Sequence, residues 1–249
     1  EVGQFSSCYD GAQDWEYCLR LFTNLKRKSI HHIPKVLYHW RIHELSTSYS
    51  LGNKKTKVKN QSIKLLNNYL SQNFSYGYAG SGPGNFYSIH SKPNSQFRVF
   101  IFVHGNLSDY EYYKKNLSVY CDNENASIHP QNEFVLIKES IKDKNDKCEN
   151  YFIFIDSKFL PTCSKWITEL VSFQQLEFSG FTGPRIMNKL RKTVIAHGMS
   201  LQNKIIIPCY YGYDINKPGL HYRALLSGSF DYLHPGCVCI HEQKVKNLK

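Results

Sequence analysis

The stretch Val99-Phe100-Ile101-Phe102-Val103, followed by His104-Gly105-Asn106, decides the fold. Five apolar residues in a row leave no polar face. A strand covered on both sides reads this way, and parallel strands buried between helix layers are the usual case. Downstream, Leu107, Tyr110, Tyr113, Leu117 and Tyr120 recur at helical spacing. Phe134–Ile137 and Phe152–Ile155 read as two further buried strands, and the second ends in Asp156. Trp166, Ile167, Leu170, Val171 and Phe173 mark another helix, and Thr193–Ala196, Ile205–Ile207 and Val238–Ile240 read as short strands. Strands and helices in this alternation predict an α/β domain over residues 98–249. Ligands of open α/β sheets bind beyond the carboxyl ends of the strands, so Asp156 stands where a site is expected.

Upstream of this domain, two other zones are visible. Residues 1–48 open with Asp14 ahead of Trp15, Cys18, Leu19, Phe22 and Leu25, a spacing that predicts a helix with an apolar face. Asp14 at the helix start is favoured by free amides and the helix dipole, so capping alone accounts for it. Ser29–Ile33 and Val36–Ile42 read as strands on either side of Pro34. In the second, Leu37, His39, Arg41 and His43 share one face. A surface strand rarely needs two histidines flanking an arginine, so this face is a candidate ligand surface. Residues 49–97 begin lysine-rich and end in Gly, Ser, Pro and Asn, which predicts a helix followed by a connector.

Composition sets the outer bounds. In 249 residues, 41% are hydrophobic and 20% charged, so the chain can bury a core. The formal charge of +11 favours anionic partners: phosphates, nucleic acid or an acidic membrane face. The runs Lys26-Arg27-Lys28, Lys54–Lys59 and Lys138–Lys147 also fit plain solvated surfaces. They lack the aromatic interleaving of a stacking platform, so nucleic acid is not the expected partner. The eight cysteines contain no CxxC pair, which argues for free thiols in a reducing compartment. Cys237 and Cys239 alternate within an apolar stretch and fall on one strand face. No apolar run reaches the roughly 20 residues that a membrane-spanning helix needs.

Three quoted segments carry a family resemblance. They are Gly11-Ala12-Gln13-Asp14-Trp15-Glu16, then Leu19-Arg20-Leu21, then His32 to Thr47 with Tyr38-His39-Trp40-Arg41-Ile42-His43 at its centre. In order and spacing they resemble family-2 glycosyltransferases, most closely the O-antigen and rhamnan type with tandem catalytic domains. The segments cover about a tenth of the chain. The resemblance implies a GT-A fold: a Rossmann-like mixed sheet flanked by helices, here incomplete or permuted. It implies transfer of a hexose-type sugar, with inversion, from a nucleotide-sugar donor to a glycan or lipid-linked acceptor during cell-surface polysaccharide synthesis. Asp14 matches the family's general base, and Gln13 and Trp15 the acceptor pocket, although Trp15 is equally explained by core packing. Arg41 and His43 match the residues facing the donor diphosphate, with His39 in support and Ser46 and Thr47 in the loop beyond. His43 also matches the position that meets the divalent metal, Mn or Mg.

Residues 98–249 resemble the same family more weakly. Asp156-Ser157-Lys158 corresponds to the metal-binding Asp-x-Asp element, with Lys158 in place of the second acid. A lysine repels a metal ion, so the metal site at Asp156 is weakened there. His104-Gly105-Asn106 also replaces the family's Pro-Thr/Ser turn. Gly183-Pro184-Arg185, His197-Gly198 and Gly236-Cys237-Val238-Cys239 resemble later parts of the fold. The domain organisation that follows is the C-terminal part of a first glycosyltransferase domain (1–48), a helix and linker (49–97), and the N-terminal part of a second, degenerate one (98–249). Such a chain reads as a fragment of a longer cytoplasmic protein, with peripheral contact at the inner membrane face within reach of its charge. The competing expectation is a non-catalytic module, in which the degenerate domain binds glycan or serves as a scaffold.

Overall fold

The computed structural model describes residues 2–25, 30–39, 53–73, 77–84, 86–91, 96–121, 124–142, 148–176 and 179–245. The chain forms two units, Glu1–Ile89 and His90–Lys249. The lysine-rich helix falls within the first unit.

In the first unit, helix α1 (Gln13–Asn24) carries Asp14 and Glu16 in its first turn, where the dipole favours acids. The helix lies where the spacing put it, but its buried side differs from the expected one. Trp15, Phe22 and Leu25 are exposed, whereas Ala12 and Glu16 are buried. Glu16 can be buried because Arg20, one turn on, neutralises it: Arg20 Nη2 donates to Glu16 Oε2 at 2.8 Å. Arg20 also donates to the carbonyls of Val2 and Gln4, which ties the N-terminal segment to the helix. Helix α2 (Asn53–Asn73) buries Ser62, Leu65 and Leu70, and β1 (Gly77–Ser81) pairs with β2 (Tyr87–Ser91). Asn67 of α2 grips the backbone of Ala79 from both sides, accepting from its N–H at 2.8 Å and donating to its carbonyl at 3.1 Å.

Residues 30–39 correct an expectation. They form no regular strand, and Val36, Leu37 and Tyr38 are strongly exposed. Alternation marks a strand only when another strand accepts its backbone hydrogen bonds. Among the described residues none pairs with 30–39. The rest of the expected pair, Ser29 and Trp40–Ile42, lies outside the described residues.

The second unit is a mixed α/β body. Among its described residues, β3 (Phe97–His104) pairs in parallel with β4 (Ala126–Pro130) on one side and β5 (Glu149–Asp156) on the other. Strand β10 (Cys237–His241) runs antiparallel along β5. Side chains alternate between two layers. Val99, Ile101, Val103, Ile153, Cys237 and Cys239 pack with α3 (Leu107–Ser118) and α5 (Trp166–Gln174). Phe102, Phe152 and Ile240 pack with α4 (Phe134–Lys142) and the short α6 (Glu242–Val245). Both faces of β3 are thus covered, as its apolar run requires. Burial pushes the Cys237 thiol up to about 12, and that of Cys239 upward as well. All eight cysteines are free.

Phe134–Ile137 is the first turn of α4, not the strand expected there. Phe134, Ile137 and Ile141 fall on one helical face against the sheet, while Val135 and Leu136 point outward. The strand beside β3 is the more polar Ala126–Pro130. Between α5 and β10 lie two antiparallel hairpins, β6 (Ile186–Asn188) with β7 (Thr193–Ala196) and β8 (Met199–Gln202) with β9 (Ile205–Pro208). The turn between β8 and β9 is Asn203-Lys204, both at positive φ, which suits the twist of a tight hairpin.

Candidate functional site

Parallel strands β3 and β5 end side by side, with His104 opposite Asp156. Each strand then turns, and the two turns form the floor of a cleft of about 590 Å³. Asn106, Asp156, Ser157 and Lys158 line it together with Tyr112 and Asn116 of α3. The turns touch closely. A Cβ on Gly105 would lie 2.3 Å from Ser157 Oγ and 3.0 Å from Ser157 Cβ, and the glycine adopts φ +153°. Only glycine lets the two turns approach this far.

The turn after β5 is held at four points. Asp156 Oδ1 accepts from the Lys158 N–H at 2.8 Å, and the Asp156 carbonyl accepts from the Phe159 N–H at 2.9 Å. The Ser157 N–H donates to the His104 carbonyl at 2.8 Å. Tyr113 closes the set by donating its hydroxyl to the Phe159 carbonyl. Tyr113 is buried, and that burial, reinforced by Cys237 and Asp156, raises its pKa well above the usual phenol value. It therefore stays protonated and acts as a fixed donor. The outcome is a rigid turn with an exposed Lys158 ammonium beside a single carboxylate. Asn106 caps α3 by position but makes no side-chain cap bond.

The residues expected in the first unit fall into two groups. Gln13, Asp14 and Trp15 share the first turn of α1. Asp14 is exposed, and its Oδ1 accepts from the Trp15 N–H at 2.9 Å. Gln13 is engaged locally, donating to Asp10 Oδ1 and accepting from the Gly11 N–H, both at 2.9 Å. Trp15 is half exposed with its edge on the Tyr87 ring, an open platform in place of a core position. His39 is exposed in the irregular 30–39 segment. Arg41, His43, Ser46 and Thr47 lie outside the described residues. The resemblance places Asp14, Arg41 and His43 in one cleft, and that convergence lies outside the described residues.

As for a divalent metal, no group of three His, Cys, Asp or Glu side chains stands close enough to hold one among the described residues. At Asp156 the donor set itself fits poorly. One carboxylate oxygen is committed to its own turn, and the position two residues on presents an ammonium. Sequence reading found Asp156 and Lys158, read Tyr113 only as part of an apolar helix face, and missed Tyr112 and Asn116. These belong to the helix face that covers the cleft, and helical spacing shows burial without showing what the polar tips meet.

A second polar feature lies away from the cleft. His197 is buried, donates Nε2–H to the Leu226 carbonyl at 2.9 Å, and keeps Nδ1 without a partner among the described residues. The rings of Tyr210 and Phe230 stand edge-on to it. Burial lowers its pKa, and the nearby Arg185 charge adds to this.

No protein-family model matches the chain, and no solved structure does. A 41-residue stretch is 49% identical to an uncharacterized protein, y4gI, of Sinorhizobium fredii. The match covers 16% of this chain and 4% of that protein's length. Among the described residues no helix is long and apolar enough to cross a membrane.

Proposed function

We propose that the chain carries parts of two GT-A glycosyltransferase domains of family 2, and that it serves sugar transfer from a nucleotide sugar to a glycan or lipid-linked acceptor. The observation that supports this most is the cleft at the carboxyl ends of β3 and β5, with Asp156 at the end of the strand that the resemblance assigns to the acidic element. The mixed sheet with helices on both faces agrees with such a body.

In this reading, chemistry belongs to the first unit. The acceptor hydroxyl attacks the anomeric carbon, its proton passes to the Asp14 carboxylate, and the C–O bond to the nucleotide diphosphate breaks. Arg41, supported by His39, would neutralise the departing diphosphate, and His43 is the metal position of the same reading. Asp14 suits a base because it is solvent-accessible and, among the described residues, only its Oδ1 is engaged. The second unit is then a donor-type cleft serving binding or scaffolding. Lys158 beside Asp156 favours that role over turnover.

The test is transfer and hydrolysis by the 249-residue chain against a panel of nucleotide sugars. Loss of about a hundredfold or more in kcat with Asp14→Asn, with Asp156→Asn unaffected, supports the assignment. Full activity in Asp14→Asn removes Asp14 from the role of base.

A further inference from the structure

We infer that the cleft of the second unit takes a diphosphate anion without a divalent cation, with the Lys158 ammonium supplying the positive charge that a metal would otherwise bring. The inference rests on the reading of that cleft as a nucleotide-sugar-type site and deepens it.

The argument starts from charge balance. A diphosphate entering a cleft needs positive charge or donors within reach, supplied either by a bound metal or by the protein. Two acids in the turn after β5 would supply the ligands for a metal. Here the turn holds one acid, and Asp156 Oδ1 already accepts from the Lys158 N–H at 2.8 Å. The second position is a lysine whose charge would oppose a divalent ion directly. The same lysine is a strong partner for phosphate oxygens, and as a compact ammonium it needs no special approach angle.

Position matters as much as charge. The Lys158 N–H is held by Asp156 Oδ1, and the residues on either side are held too, Ser157 by the His104 carbonyl and Phe159 by the Asp156 carbonyl and the Tyr113 hydroxyl. Neutral donors are at hand in Asn106 and Asn116. Asn116 spends one amide hydrogen on the Tyr112 carbonyl and keeps the rest of its amide for the cleft. Asp156 is the feature that would repel an anion, and its engagement in the turn directs part of its charge toward backbone N–H.

The test uses the full 249-residue chain and calorimetric titration with inorganic pyrophosphate and with a set of nucleoside diphosphates, each in excess chelator and again with Mg²⁺ or Mn²⁺. Binding in chelator equal to or tighter than binding with metal is expected. Lys158→Ala should weaken it about tenfold or more, the worth of one charge-assisted contact. Lys158→Asp should abolish binding in chelator and restore some with metal, because it recreates two acids. Lys158 is exposed, so neither change threatens the fold. Binding that appears only with metal in the unmodified chain overturns the inference and leaves the nucleotide-sugar reading intact. No binding under either condition overturns both. Metal-free binding that Lys158→Ala leaves unchanged also overturns the inference, since the anion then sits elsewhere.

Discussion

Replacing Gly105 by alanine should destabilise the second unit, and Ser157→Gly should rescue much of the loss. The added Cβ would meet Ser157 Oγ at 2.3 Å and Ser157 Cβ at 3.0 Å. Ser157 can swing Oγ aside by changing rotamer, but its Cβ is fixed to the backbone, and that backbone is bonded to His104. Relief must therefore come from moving one turn. Overpacking of this kind costs about 1–3 kcal/mol. The positive φ of Gly105 adds about 1 kcal/mol for a residue with a side chain. For a unit of this size, a total of about 2–4 kcal/mol lowers Tm by roughly 4–16 °C. Thermal unfolding of the four proteins in the cycle, followed by near-UV circular dichroism, reads this out. Ser157→Gly removes both close atoms, so the double variant should be free of the clash and keep only the φ penalty. A coupling of about 1–3 kcal/mol is expected between the two sites. Additivity within about 0.5 kcal/mol would refute the close approach of the two turns, and the floor of the cleft with it.

Phe102→Ala should cost about 3–5 kcal/mol in urea unfolding of the second unit, because Phe102 is fully buried against Phe134, Phe152 and Phe154. A loss under 1 kcal/mol would contradict the packing of α4 on the sheet. His197 should make the fold acid-sensitive. Its folded pKa lies below the ordinary 6.5, so its contribution to stability is fully present above 6.5 and is lost as pH falls from 6.5 through the lower folded value. Melting temperatures measured from roughly pH 7.5 to 5 should therefore drop more steeply for the natural chain than for His197→Asn, and parallel curves would count against a neutral buried imidazole.

The sequence by itself determined the centre of the second unit. Strands β3 and β5 and helices α3 and α5 were legible because a strand covered on both faces must be apolar at every position, and a covered helix apolar at every third or fourth. The same local logic located Asp156 at a strand end and Lys158 two residues beyond it. Where the fold depends on a distant partner, the local pattern ran out. Val36–Ile42 alternates like a strand, yet its described part, 36–39, has no strand neighbour among the described residues to take its hydrogen bonds and stays irregular. Phe134–Ile137 is apolar enough for a strand, but β3 is already flanked by Ala126–Pro130, so it forms the start of a helix on the sheet face. Helix α1 was placed correctly, but the Glu16–Arg20 pair, not Trp15 or Phe22, decides which side is buried. The cleft is likewise a tertiary product. Gly105 meeting Ser157, and the Tyr113 hydroxyl reaching the Phe159 carbonyl 46 residues away, follow from how strands are ordered and helices laid across them. Local sequence specifies which faces must be covered; the competition among all segments for those faces decides what covers them.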